Sequence, residues 1–290
     1  MKVSGGRRVF QIINFFIMFS ICAVVIMPFM HILAVSVSDS NAIRNMEVGI
    51  FPKGFYTRAY KEIIVSRIFL RSLINSIGIT IVYTLAAVII CVMASFAFSR
   101  KFFGKTVINY YFVITMYFSG GLIPTYLLIS KYLNMYNTVW PLILPGLVSV
   151  FYIIVMRSQI EQIPASLTEA AIIDGASQFR VLFDIIIPSI MPTLAAICMF
   201  LVLGKWNSWF DVLVYVRDKN LWTLQYYLRS VVFTKELMKE TEQAVHVSTV
   251  ITDENYKMAA IILVAIPVVS VYPFVQKYFV KGILAGSVKG

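Results

Sequence analysis

Long apolar runs recur along this chain, and no other feature restricts its fold as strongly. A helix needs about 20 mostly apolar residues to cross about 30 Å of hydrocarbon. Runs near or above that length fall at about Phe10 to Val37, Ser72 to Ser99, Val107 to Ser130, Val139 to Met156, Ser189 to Val216 and Tyr256 to Phe274. Inside a bilayer every backbone polar group must find its partner within the protein, which leaves helices as the element such runs can form. The expected fold class is an all-α membrane protein of about six transmembrane helices. The first run follows Arg7 and Arg8 as a signal peptide would, but it is too long for that and no small-residue cleavage site follows.

Composition agrees. Hydrophobic residues make up 59% of the 290 and charged residues 13%, with a mean hydropathy of +0.82. A soluble domain carries about 25% charged residues, so this chain has too few to build a water-facing surface. The net charge of +11 is dispersed through loops and span ends. Basic residues there act as interface anchors and topology signals, and no nucleic-acid partner is expected. Cys22, Cys91 and Cys198 all lie inside apolar runs, with neither metal-site nor disulfide spacing, and read as packing residues. His31 and His246 have no clustered partners and read as structural.

Ser119-Gly120-Gly121 and Pro124 interrupt the third run, and Pro141 and Pro145 the fourth. Such breaks are tolerated where neighbouring helices or water satisfy the freed backbone groups, so both spans are expected to line the interior. Residues 38–71 and 217–255 fall on one side of the membrane, and 157–187 with both termini on the other. The positive-inside rule, which discounts long loops, favours cytoplasmic termini.

Between the fourth and fifth runs lies a polar segment, residues 161–188. Ser166 or Thr168 can cap a short helix with Glu169 in its first turn, and Gly175 is placed to end it in a left-handed turn. A second helical stretch is expected to put Phe179, Leu182 and Phe183 on one side, with Arg180 and Asp184 elsewhere. Apolar surface left over on such an element suggests docking to a partner.

Glu169-Ala170-Ala171, three residues, Gly175, nine residues, Ile185, one residue, then Ile187-Pro188 resembles the loop signature of permease subunits of binding-protein-dependent ABC importers. Ile187 stands where that signature normally has leucine. Further stretches are similar to the carbohydrate-uptake branch, with members like the smaller maltose-type permease. They are Gly121-Leu-Ile-Pro-Thr-Tyr126, Asn137-Thr138, Pro141-Leu-Ile-Leu-Pro145, Trp206-Asn-Ser-Trp-Phe210 and Gln276-Lys-Tyr-Phe-Val-Lys-Gly282 with Gly286-Ser-Val-Lys-Gly290.

The resemblance implies one permease domain over residues 1–290, its core at about 70–282, in the cytoplasmic membrane. It makes residues 161–188 a cytoplasmic coupling loop, with Glu169, Ala170, Ala171, Asp174, Gly175, Ile185 and Pro188 as ATPase-coupling residues. It makes 217–255 an extracytoplasmic loop that reaches towards a binding protein. The implied partners are a second related permease, a cytoplasmic ATPase dimer, an extracytoplasmic sugar-binding protein and the lipid bilayer. No catalysis and no cofactor are expected on this chain, with ATP and Mg on the partner ATPase.

Two local signals remain. Gly104-Lys105-Thr106 resembles the tail of a phosphate-binding loop, but Ser99 stands where its first glycine belongs and an apolar helix precedes it instead of a strand. Lys205, Trp206, Asn207 and Trp209 combine aromatic faces with amide and charged groups, a mix suited to sugars. A lysine near mid-membrane costs about 2.5–3.5 kcal/mol on insertion scales, so it faces a cavity, a partner or an interface. The alternative is a snorkelling lysine between interface tryptophans, or a channel wall whose sugar site belongs to the paired subunit. An ion-coupled secondary transporter would bury carboxylates at mid-membrane, and Asp211 at the end of the fifth run is the nearest to one. An intramembrane enzyme would need a cluster of reactive groups that is not visible.

Overall fold

The computed structural model describes residues 5–241 and 254–270, and every regular element in them is helical. The chain divides into two compact units, one of residues 1–69 with 228–268 and one of 70–227 with 269–290.

In the first unit, α1 (Gly5–Ser36) is an apolar helix whose spanning stretch buries nothing, as a helix facing lipid or another chain would. Its last turn anchors two short helices, α2 (Ser40–Arg44) and α3 (Arg58–Val65), around Ala34, Val35, Ile43 and Val48. The helix over 254–270 joins them through Asn255, whose buried Nδ2 donates to the carbonyls of Val35, Ser36 and Ser38 at 3.0, 3.0 and 3.3 Å. These carbonyls lie where α1 ends and have no intrahelical donor. His31 is structural as expected, its Nδ1 bonded to the Gly49 carbonyl at 2.8 Å.

In the second unit, α4 (Arg67–Ser99) presents Ala87, Cys91 and Ser95 at successive four-residue steps, all fully buried. Small residues at that spacing let another helix approach closely, and in lipid such contact, not water exclusion, drives helix packing. The neighbour is α7 (Val150–Ile160), and the single Ser95 hydroxyl hydrogen is shared between Cys91 O at 2.6 Å and, across the helices, Ile153 O at 3.0 Å. Cys91 is therefore a packing residue.

Several spans depart from expectation. The third is broken more sharply than interrupted, with α5 (Lys105–Tyr117) and α6 (Leu122–Leu127, continued as a π turn to Tyr132) meeting at 105°. Neither α5 nor α6 buries a residue fully, but Phe112 and Tyr126 pack against the core and Ile129 in the π turn is buried, so this run faces inward only in part. The fourth run is not one helix. Trp140–Leu142 form a single 3-10 turn and α7 starts only at Val150, because prolines at 141 and 145 deny the ladder its donors. It does face inward, with Pro141, Leu142, Ile153 and Met156 buried. Residues 217–255 are not a loop throughout, since α13 runs from Leu224 to Thr241. Trp222 and Tyr226 pack against the core and Tyr227 is buried, so these aromatics are not free to form an exposed contact surface. His246 and the chain beyond residue 270, with the Gln276–Gly282 stretch, lie outside the described residues.

Candidate functional site

The polar segment folds as expected at Gly175 and differently at its start. Helix α8 (Ala165–Ile173) follows Pro164, and neither Ser166 nor Thr168 caps it. Both sit inside the first turn, where Thr168 Oγ1 donates to the Ala165 carbonyl at 2.9 Å. Gly175 has φ +81°, Gly175 N donates to Ile172 O at 3.0 Å, and Ala176 N to Ala171 O at 2.9 Å. This pair of bonds closes the helix end by turning the backbone left-handed, a conformation glycine adopts without cost. Ser177 then caps α9 (Gln178–Val181), accepting from Arg180 N at 3.3 Å.

Past Val181 the backbone widens into a π turn over Leu182–Ile186 before α10 (Ile187–Ser189). The extra residue rotates the faces. Val181, Leu182 and Ile186 enter the core formed with Ala87, Cys91, Met156 and Ile160, while Phe179 and Phe183 stay exposed. The expected grouping of Leu182 with the two phenylalanines is thus corrected. Arg180 and Asp184 pair at 3.3 Å on the water side. Glu169, Ala170, Asp174 and Gly175 are exposed, Ala171 and Ile185 are half-buried, and Pro188 is exposed just before the chain turns by 83° into α11 (Met191–Trp206). The segment is therefore rooted in the core by its second half and presents Leu167, Ile172, Ile173, Phe179 and Phe183 outward, with Ile173 85% exposed.

The other candidate region sits where the fifth run breaks. Helix α11 ends at Trp206, Asn207–Trp209 are non-helical, and α12 (Phe210–Tyr215) resumes. Across this break Lys205 Nζ meets Asp211 Oδ2 at 3.3 Å, and Ser208 Oγ donates to the same oxygen at 2.9 Å. The ammonium also lies 4.7 Å from the centre of the Tyr83 ring. Lys205 therefore does not snorkel; its side chain is only 7% exposed. These groups line an open cavity of about 450 Å³ with Tyr152, Phe200 and Gly146. Trp206 and Trp209 do not line it, and Asn207 is exposed and accepts from Gln225 at 3.3 Å. Sequence reasoning singled out Lys205 but missed Tyr83 and the pairing of Lys205 with Asp211; the i, i+6 spacing across a helix break was the only local signal.

Lys105, the lysine of the apparent phosphate loop, is 3.6 Å from Glu161 at the start of an apolar helix. Among the described residues no group of acids, histidines and cysteines could hold a metal.

Residues 87–285 match the model of the binding-protein-dependent transport system inner membrane component. The chain belongs to that family. Among curated relatives, Protein LplC of Bacillus subtilis (strain 168) is 35% identical over 100% of this chain and 98% of its own length. The polygalacturonan/rhamnogalacturonan transport system permease protein YtcP of the same organism is 32% identical over 98% of this chain and 99% of its own. Among solved structures, a chain of a bacterial ABC transporter involved in import of the acidic polysaccharide alginate superposes with a TM-score of 0.86 at 28% identity, covering 96% of this chain and 99% of that one. This inner membrane component is accordingly a multi-pass transport permease with the ABC permease fold.

Proposed function

We propose that this chain is one transmembrane half of an ATP-driven oligosaccharide importer. It pairs with a second, related permease, receives substrate from an extracytoplasmic binding protein, and borrows its energy from a cytoplasmic ATPase dimer. Family membership supports the dependence on a binding protein, and the printed activities of YtcP and of the alginate transporter support a saccharide cargo. The observation that carries ATPase coupling is the exposed face of residues 161–188. A short helix closed by a left-handed glycine leaves Ile173, Phe179 and Phe183 outside, where a monomer gains nothing from them.

In this reading Glu169, Ala170, Ala171, Asp174 and Gly175 form the docking turn, and Ile185 and Pro188 transmit its motion into α11. Residues 100–106, 157–187 and both termini are cytoplasmic. The cavity at Lys205 and Asp211 lies on the substrate path, with Trp206, Asn207 and Trp209 shaping the helix break beside it. Neither an ion-coupled carrier nor an intramembrane enzyme explains the docking turn. The test is purification of the protein from its native membrane. Recovery of an ATPase and a second permease, with hydrolysis stimulated by a sugar-loaded binding protein, is expected; isolation of a lone chain active in solute exchange overturns the reading.

A further inference from the structure

The geometry points to a saccharide subsite in which Asp211 and Lys205 jointly read adjacent hydroxyls of a sugar ring, with Asp211 as the specificity-determining residue. This rests on the cavity lying on the substrate path. Asp211 Oδ2 already accepts from Lys205 and Ser208, and its Oδ1 accepts from nothing among the described residues. The lysine ammonium has three N–H donors. One is directed to Asp211 and the face of Tyr83 takes up another, so one remains. An open acceptor and an open donor thus stand side by side at the wall of the cavity.

Two hydroxyls on neighbouring ring carbons match that arrangement, one donating to Oδ1 and the other accepting from Nζ. Tyr83, Tyr152 and Phe200 line the same cavity and offer apolar faces to the C–H surface of a ring. A carboxylate alone fits poorly. It brings acceptors only, Lys205 is already neutralised by Asp211, and Asp211 at 33% side-chain exposure meets an incoming anion before Lys205 at 7% does. The subsite therefore takes any oligosaccharide that keeps a free vicinal diol edge, whether its rings are neutral or uronic. An ion pair that only stapled α11 to α12 would give no such dependence on the sugar.

The experiment uses the purified full complex with Val148, a cavity-lining residue, changed to cysteine in a background lacking Cys22, Cys91 and Cys198. Maltotriose and trigalacturonate are expected to slow thiol labelling at similar concentrations, and permethylated maltotriose to have no effect. Asp211→Asn should raise the protecting concentration of maltotriose about tenfold, the scale of losing a hydrogen bond to a charged group. Trigalacturonate should keep its protection in that variant, because the uncompensated Lys205 now pairs with its carboxylate. Equal protection by the permethylated sugar, a wild-type preference for trigalacturonate, or unchanged maltotriose protection in Asp211→Asn overturns the subsite and leaves the path reading standing. Protection by neither free sugar, in a complex still stimulated by its loaded binding protein, removes the path reading and the subsite with it. If Asp211→Asn does not assemble, the permethylated arm decides, since it leaves Asp211 and Lys205 unchanged.

Discussion

Arg157, in the last turn of α7, donates from Nη1 to Asn109 Oδ1 on α5 at 3.1 Å and from Nε to Glu161 at 2.8 Å. Glu161 also meets Lys105 at 3.6 Å. Glu161, where the polar segment begins, is therefore tied to two helices. All these groups are partly exposed, and such pairs contribute about 0–1 kcal/mol each to stability. Glu161→Gln should leave membrane insertion and assembly intact while lowering uptake per ATP hydrolysed. Measuring both rates in proteoliposomes checks this, and an unchanged ratio would assign the network to stability alone.

Gly175 has open space around its Cα, so a side chain there meets no neighbour, only the strain of φ +81°. Left-handed backbone costs a residue with Cβ about 1–2 kcal/mol, and asparagine less. Gly175→Val is expected to abolish uptake and Gly175→Asn to retain most of it, with both proteins present in the membrane at wild-type levels. Equal activity of the two variants would separate the turn from coupling.

Ile173 and Phe179 are exposed, so Ile173→Asp and Phe179→Ser should change the thermal stability of the isolated chain little. The same changes should prevent recovery of the ATPase by pull-down. Normal recovery with both variants would show that the ATPase docks elsewhere.

Tyr83 OH donates to the Gly146 carbonyl at 2.9 Å, and a Cβ on Gly146 would come within 3.3 Å of that oxygen at φ +82°. Gly146→Ala should cost about 1–2 kcal/mol from the backbone and displace the ring beneath Lys205. Uptake is expected to fall more than it does in Tyr83→Phe, which keeps the ring and loses only the bond. Initial uptake rates of the two variants measure the difference.

Single cysteines at Gln178 and Lys219, both exposed, should label from opposite faces of the membrane with an impermeant reagent. Labelling from one face would remove the proposed topology.

Much of this was legible in the chain itself. The glycine turn at 175 needs only local backbone chemistry, and the break at Ser119-Gly120-Gly121 and the prolines at 141 and 145 act on their own helices. The helix and turn between the fourth and fifth runs were legible because their residues are contiguous. The cavity was not, because Tyr83, Gly146, Lys205 and Asp211 come from separate parts of the chain and only the six-residue step from Lys205 to Asp211 hints at a meeting. The packing of the aromatics at 222–227 was hidden for the same reason: composition cannot say whether a tyrosine faces water or a neighbour. Leu182 was misplaced because neighbouring helical side chains point about 100° apart, and which of Leu182 and Phe183 the core takes is decided by Met156 and Ile160, far along the chain.

The sequence by itself determined that the chain is helical and membrane-bound, since apolar length and backbone hydrogen bonding depend on neighbours along the chain. It also marked two places where helices are interrupted, at Ser119-Gly120-Gly121 and at Pro141 and Pro145. Only the tertiary structure decided which charges are neutralised, which small residues let helices touch, and which face of each helix is left open. Those depend on residues far apart in the chain. Lys205 lines a cavity wall and is buried because Asp211 and Tyr83 reach it, and burying an ammonium is tolerable only when partners replace its water.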